Sequence, residues 1–177
     1  MVIQHGLAKI MNYPISKPKQ VKPLPAQLIS PENFQPYGQV IYPMQEEKPY
    51  DSTYAQLLLS KGTPCFYIMR LARQGRKFYN ITRHVQCTQC LGSLGGKEWF
   101  IAVAPPSDIS QPNLNLLCAF RIPGNCFIKL EAGTWHAGPH FEDEFIDFYN
   151  LQLSDTNITD YESYNFLKHH DFKLQIV

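Results

Sequence analysis

Short apolar and aromatic runs, each about the length of a strand, alternate with chain reversals through most of this sequence. Residues 24–29, 39–42, 65–71, 85–91, 99–104, 116–122, 126–130 and 145–153 are rich in β-branched and aromatic side chains, and each predicts a strand. Between them fall Gly62-Thr63-Pro64, Gly75, Gly92 to Gly96, Pro105-Pro106, Pro123-Gly124 and Ala137-Gly138-Pro139, all able to turn the backbone. The breaks leave room only for short helices. One is predicted over 31–35, where Ser30 can cap the free amides and Pro31 suits the first helical position, and a second over 54–59. The pattern predicts an all-β jelly-roll barrel, a closed double sheet whose interior is wide enough for one small ligand. No internal repeat of solenoid or propeller period is present. Pro14, Lys17, Pro18, Lys19, Lys22, Pro23 and Pro25 oppose regular pairing near the start, so residues 1–23 read as an arm and 24–177 as a single domain.

Composition narrows the function more than the fold. A chain of 177 residues with 44% hydrophobic and 13% aromatic residues can bury one sizeable core. Sixteen basic and fifteen acidic side chains nearly cancel, which leaves no field to draw nucleic acid or an anionic membrane. No apolar run is long enough for a spanning helix, and the N-terminus lacks the apolar stretch of a signal peptide; a cytoplasmic protein with a small-molecule partner is expected. Five cysteines at irregular spacing suit free thiols in a reducing compartment. Cys87 and Cys90 stand three apart, and on a strand they would face opposite sides, against a redox or zinc pair.

The chemistry gathers in two segments. Arg83-His84-Val85-Gln86-Cys87-Thr88-Gln89-Cys90 leads through Gly92 to Gly96 into the apolar run 99–104, and Glu131-Ala132-Gly133-Thr134-Trp135-His136 follows the run 126–130. This resembles the two-part motif of cupins. His84 and Gln86 take the places of a His-x-His pair, Gln89 stands seven before Gly96 where a carboxylate is usual, and Gly133 and His136 complete the second part. Such a pattern brings imidazoles from neighbouring strands to one point, where they can bind a divalent metal or move a proton. With amides at two ligand positions, a metal held by His84, Gln89 and His136 would be weakly held. Otherwise these groups are hydrogen-bonded polar members of the core.

The likeness extends further. Leu24-Pro25, Phe34, Tyr37-Gly38 and Val40-Ile41 at the start, Arg70, Arg83-His84, Thr88-Gln89, Trp135-His136 and Asp147-Phe148 together resemble the ureidoglycolate lyase family over roughly residues 24–166. The runs Tyr67 to Leu71, Thr88 to Ser93, Gly133 to Pro139 and Asp147 to Leu151 are similar to a branch found in photosynthetic organisms. One departure stands out: Ala137-Gly138-Pro139 occupies the place of a further His directly after Trp-His.

The resemblance implies a carbon–nitrogen lyase that cleaves ureidoglycolate to glyoxylate and urea in purine and allantoin catabolism, working as a homodimer. In that reaction a base takes the hydroxyl proton, an acid protonates the departing nitrogen and a cation holds the carboxylate. His136 and His84 are the candidates for proton transfer, with Asp147 to orient an imidazole. Arg70 or Arg83 would clamp the carboxylate, Gln89 would offer donor and acceptor to the ureido group, and Tyr149 would contact substrate. The competing expectation is a non-catalytic or differently specific cupin that binds a small carboxylate or ureide.

Overall fold

The computed structural model describes residues 20–46 and 49–177. Its strands are β1 (Gln20–Leu24), β2 (Ala26–Leu28), β3 (Gly38–Ile41), β4 (Pro64–Ala72), β5 (Lys77–Phe78), β6 (Asn80–Arg83), β7 (Gln89–Ser93), β8 (Trp99–Ala104), β9 (Cys118–Ile122), β10 (Phe127–Leu130), β11 (Trp135–His140), β12 (Phe145–Leu153), β13 (Glu162–Asn165) and β14 (Phe172–Ile176). The helices α1 (Pro31–Phe34), α2 (Thr156–Thr159) and α3 (Phe166–His170) are one turn each. Ser30 and Asn33 cap α1 reciprocally, with Pro31 in the first turn, so the predicted helix forms where its capping groups allow.

The strands form three sheets, ordered β3-β10-β7-β12-β4, β13-β6-β11-β8-β9-β2 and β1-β14-β5. The run at 99–104 shows why they stack in layers. All six residues of β8 are buried, because Trp99, Ile101 and Val103 pack towards the five-stranded sheet while Phe100, Ala102 and Ala104 pack towards β14, α3 and β5. A strand covered on both faces reads as a continuous apolar run rather than an alternating one. β4, at the edge of its sheet, alternates exposed and half-buried positions instead. Gly38 is required where β3 meets β10, since a Cβ there would lie 1.8 Å from the Lys129 carbonyl oxygen.

Tertiary contacts override the local pattern in several places. The predicted strand 24–29 breaks at Pro25: Leu24 ends β1, which runs parallel to β14, and Ala26 begins β2, which runs parallel to β9. The last part of the predicted arm, from Gln20 onward, is therefore a paired strand, while residues 1–19 lie outside the described residues. Residues 54–59 form no helix; Leu58 instead exchanges hydrogen bonds with Thr88, by its amide to Oγ1 at 3.0 Å and by its carbonyl from the Thr88 amide at 3.1 Å. The strand expected over 85–91 begins at Gln89, because Val85 and Gln86 donate their amides to the Asp160 carboxylate at 2.8 Å each and bend away from the sheet. All five cysteines are free thiols.

Candidate functional site

The turn that closes the second sequence segment sets the site. Gly133 adopts a φ of +88°, which L side chains rarely do, and its amide donates to the His84 carbonyl at 2.5 Å. Main chain thus ties the two segments together where each presents its histidine. The His84 and His136 rings lie 5.3 Å apart between centroids, tilted by 51°. Both are buried, with 5% and 8% of their surface exposed, and both line a pocket of about 430 Å3. That pocket lies between β4, β7 and β12 on one side and β6 and β11 on the other.

Hydrogen bonds fix how the rings face. His84 Nδ1 lies 2.5 Å from the Asp160 carbonyl and His136 Nδ1 lies 3.1 Å from the Thr134 carbonyl. A carbonyl only accepts, so each Nδ1 carries a proton and each neutral ring keeps its lone pair on Nε2. Burial lowers the His136 pKa from 6.5 to about 4; the neighbouring His84 lowers it further, and the bond to Thr134 opposes both. His136 is therefore an uncharged base at neutral pH.

Gln89 joins the pair from β7. Its Nε2 donates to Asn150 Oδ1 at 3.2 Å and to Gln152 Oε1 at 2.9 Å, and Asn150 and Gln152 in turn donate to the Tyr67 hydroxyl at 2.8 and 3.4 Å. Gln89 Oε1 is buried without a partner. The expected donor role of Gln89 is thus corrected: both of its N–H groups are committed within the protein. Met69, Leu71 and Leu91 form apolar wall, while Asn80, Thr82, Asn157 and Tyr161 supply polar groups. Periodicity gave no sign of Asn80, Asn157 or Tyr161, which reach the pocket from β6, from α2 and from the segment between α2 and β13.

The other predicted residues lie elsewhere. Arg70 points to the outer face of β4, where its guanidinium forms two 2.8 Å bonds with Asp147 and lies over the Phe145 ring. Asp147 therefore orients no imidazole. Tyr149, on the same outer face, stacks on Phe66 and Phe127 at 5.7 and 5.6 Å and does not line the pocket. Arg83 sits one residue from His84 but on the opposite side of β6 from the pocket-lining Thr82. It donates to Glu162 at 2.7 Å and to the Ser107 carbonyl at 2.5 Å, and covers Trp135. Neither arginine can clamp a ligand in this pocket, and no Arg, Lys, Asp or Glu among the described residues lines it.

His140 was not anticipated. A register shift between Ala137 and His140 sets it opposite Phe100, and it meets the pocket beside Phe78, with Nδ1 3.0 Å from the Gly75 carbonyl. Burial lowers its pKa as well. The signal available in the sequence was only its place four residues after His136.

A metal fits this donor set poorly. His84, His136 and Gln89 offer two neutral nitrogens and one amide oxygen with no anionic ligand, and among the described residues no three His, Cys, Asp or Glu side chains are grouped to hold an ion.

The family model for ureidoglycolate lyase matches residues 21–170. The chain belongs to the ureidoglycolate lyase family. No curated protein matches it at significance. Solved structures similar to this family member are oxalate decarboxylases. A deletion mutant (DEL162-163) of Bacillus subtilis oxalate decarboxylase OxdC is 13% identical over 62% of this chain and 26% of its own, with a TM-score of 0.40. The Lactobacillus farciminis oxalate decarboxylase formate complex is 13% identical over 75% of this chain and 32% of its own, also at 0.40. The chain spans about a quarter to a third of the length of those structures. No helix among the described residues is long and apolar enough to cross a membrane.

Proposed function

We propose that this protein cleaves ureidoglycolate to glyoxylate and urea, as a cytoplasmic homodimer in purine nitrogen catabolism. The observation that carries the reading is the facing pair of His84 and His136 within one pocket, in a chain of this family. His136 Nε2 accepts the hydroxyl proton; the O–H electron pair becomes the carbonyl bond, and the C–N pair departs with nitrogen. The same Nε2 passes that proton to the departing nitrogen, which leaves as urea, so His136 ends in its starting state, while the His84 ring, its Nδ1–H held by the Asp160 carbonyl, lines the pocket opposite it.

Urea release from ureidoglycolate by the purified protein, against the uncatalysed rate, tests this reading. His136→Gln is expected to lower kcat by at least about 100-fold. Absence of urea above the uncatalysed rate overturns it. One observation favours the second reading, a binder of a small ureide or carboxylate: no cationic side chain lines the described pocket to neutralise a carboxylate as the reaction proceeds. Thermal stabilisation by ureides without any turnover would select that alternative.

A further inference from the structure

We propose that the free edge of β4 is a dimer seam: the strand pairs antiparallel with β4 of a second copy of this chain, about a two-fold axis at Ile68, and joins the two five-stranded sheets into one. The proposal deepens the homodimer of the reading above by naming its surface, and it does not depend on the reaction.

The backbone carries it. β4 ends its sheet, and among the described residues only β12 pairs with it, in a register unbroken from Pro64 to Ala72. Just outside the two ends of that register, the Ser154 amide donates to the Thr63 carbonyl and the Arg73 amide to the Glu144 carbonyl, both at 2.9 Å. Antiparallel pairing alternates, so Cys65, Tyr67, Met69 and Leu71 spend their main-chain groups on β12, while Phe66, Ile68, Arg70 and Ala72 turn theirs to the free edge. Pro64 turns out a carbonyl alone. A long edge without a bulge or an interior proline is open to pairing with another strand.

This edge complements itself. With the axis at Ile68, each edge amide meets a carbonyl: Ile68 that of the partner's Ile68, Phe66 that of the partner's Arg70, Arg70 that of the partner's Phe66, and Ala72 that of the partner's Pro64. Only the Ala72 carbonyl then faces a residue without an N–H, and Gln74 Nε2 already donates to it at 3.3 Å. Side chains follow the same symmetry. Phe66 and Ile68 are 65% and 56% exposed on the outer face, where Tyr149 stacks on Phe66. The seam lays the two Ile68 side chains together and sets Arg70 beside the partner's Phe66, a cation against a ring. Slipping the register by two residues one way leaves the Ala72 amide past the end of the partner strand, and the other way sets Arg70 against the partner's Ile68 instead. On the inner face, Met69 and Leu71 of the pocket wall come opposite the partner's Tyr67 and Cys65, so the second copy extends that wall.

Analytical ultracentrifugation and amide hydrogen exchange of the full chain test the seam. The wild type is expected to sediment as a dimer at micromolar concentration with the Phe66, Ile68, Arg70 and Ala72 amides protected, and to lose that protection on dilution to monomer. Ile68→Lys and Ile68→Asp each set like charges against one another at the axis, and each alone is expected to dissociate at least about 100-fold more readily. Ile68 is more than half exposed, so neither substitution disturbs the monomer. Mixed in equal amounts, the two variants are expected to pair again, because opposite charges then meet. Either variant remaining dimeric alone, or a mixture of the two that stays apart, overturns the proposal. So, without any variant, does a dimer whose four edge amides exchange freely, or protection that persists in the monomer, which would place another part of the same chain on the edge. A wild type that stays monomeric sinks the homodimer and the seam together; urea release is measured apart and bears on the lyase reading alone.

Discussion

Protonation of His136 should couple the buried pair to the stability of the whole fold. In the unfolded chain this imidazole titrates near 6.5; in the folded protein, burial and the adjacent His84 ring lower its pKa to about 4. Because the folded value is the lower, the unfolded chain takes up the proton first. The contribution is complete above about pH 6.5 and is lost as the pH falls towards 4. Across the full window it amounts to about 3 kcal/mol, and between pH 7 and pH 5 to roughly 2 kcal/mol. The assay is urea unfolding of the wild type and of His136→Gln at both pH values. The variant keeps His140, whose pKa burial also lowers, and every carboxylate, so the difference in pH sensitivity isolates His136. The wild type should lose roughly 2 kcal/mol more than the variant on acidification to pH 5. Parallel losses in the two proteins would refute the claim that His136 is held neutral by its burial.

Three further outcomes follow from where side chains lie. Arg70→Ala breaks contacts on the outer face alone, the pair with Asp147 among them, and should leave KM for ureidoglycolate within about twofold; a tenfold rise would return Arg70 to the site. Arg83→Ala strips a buried guanidinium from Glu162, Ser107 and Trp135, and should destabilise by about 2–4 kcal/mol in urea unfolding, with affinity for the unreactive ureide ureidoacetate preserved in the folded fraction. Asp160→Ala leaves the Val85 and Gln86 amides without their acceptor. Hydrogen exchange at those two amides should accelerate by about tenfold or more, and unchanged protection would show that the carboxylate does not hold the loop carrying His84.

Much of the site was legible because it depends on spacing along the chain. His84, Gln89 and His136 stand in a two-part motif, and the short apolar runs around them are long enough only for strands, so an all-β double sheet with these groups inside followed from the pattern. β8 could be read as a strand covered on both faces, since nothing polar interrupts residues 99–104. The direction in which neighbouring polar residues face was a different matter. Arg83 precedes His84 by one position, yet strand alternation and the bend clamped by Asp160 send one to Glu162 and the other to the pocket. Arg70, Asp147 and Tyr149 have the residue types expected of a site, but the pairing of β4 with β12 places them together on the outer face.

The sequence by itself determined the class of fold and the two facing imidazoles, since each follows from local periodicity or motif spacing. Only the tertiary structure decided that the Gln89 N–H groups are spent on Asn150 and Gln152, that both candidate arginines are spent elsewhere and that His140 reaches the pocket. Those outcomes turn on register and on which hydrogen-bonding groups remain unpaired once the sheets have closed, and neither is set by residues adjacent in the chain.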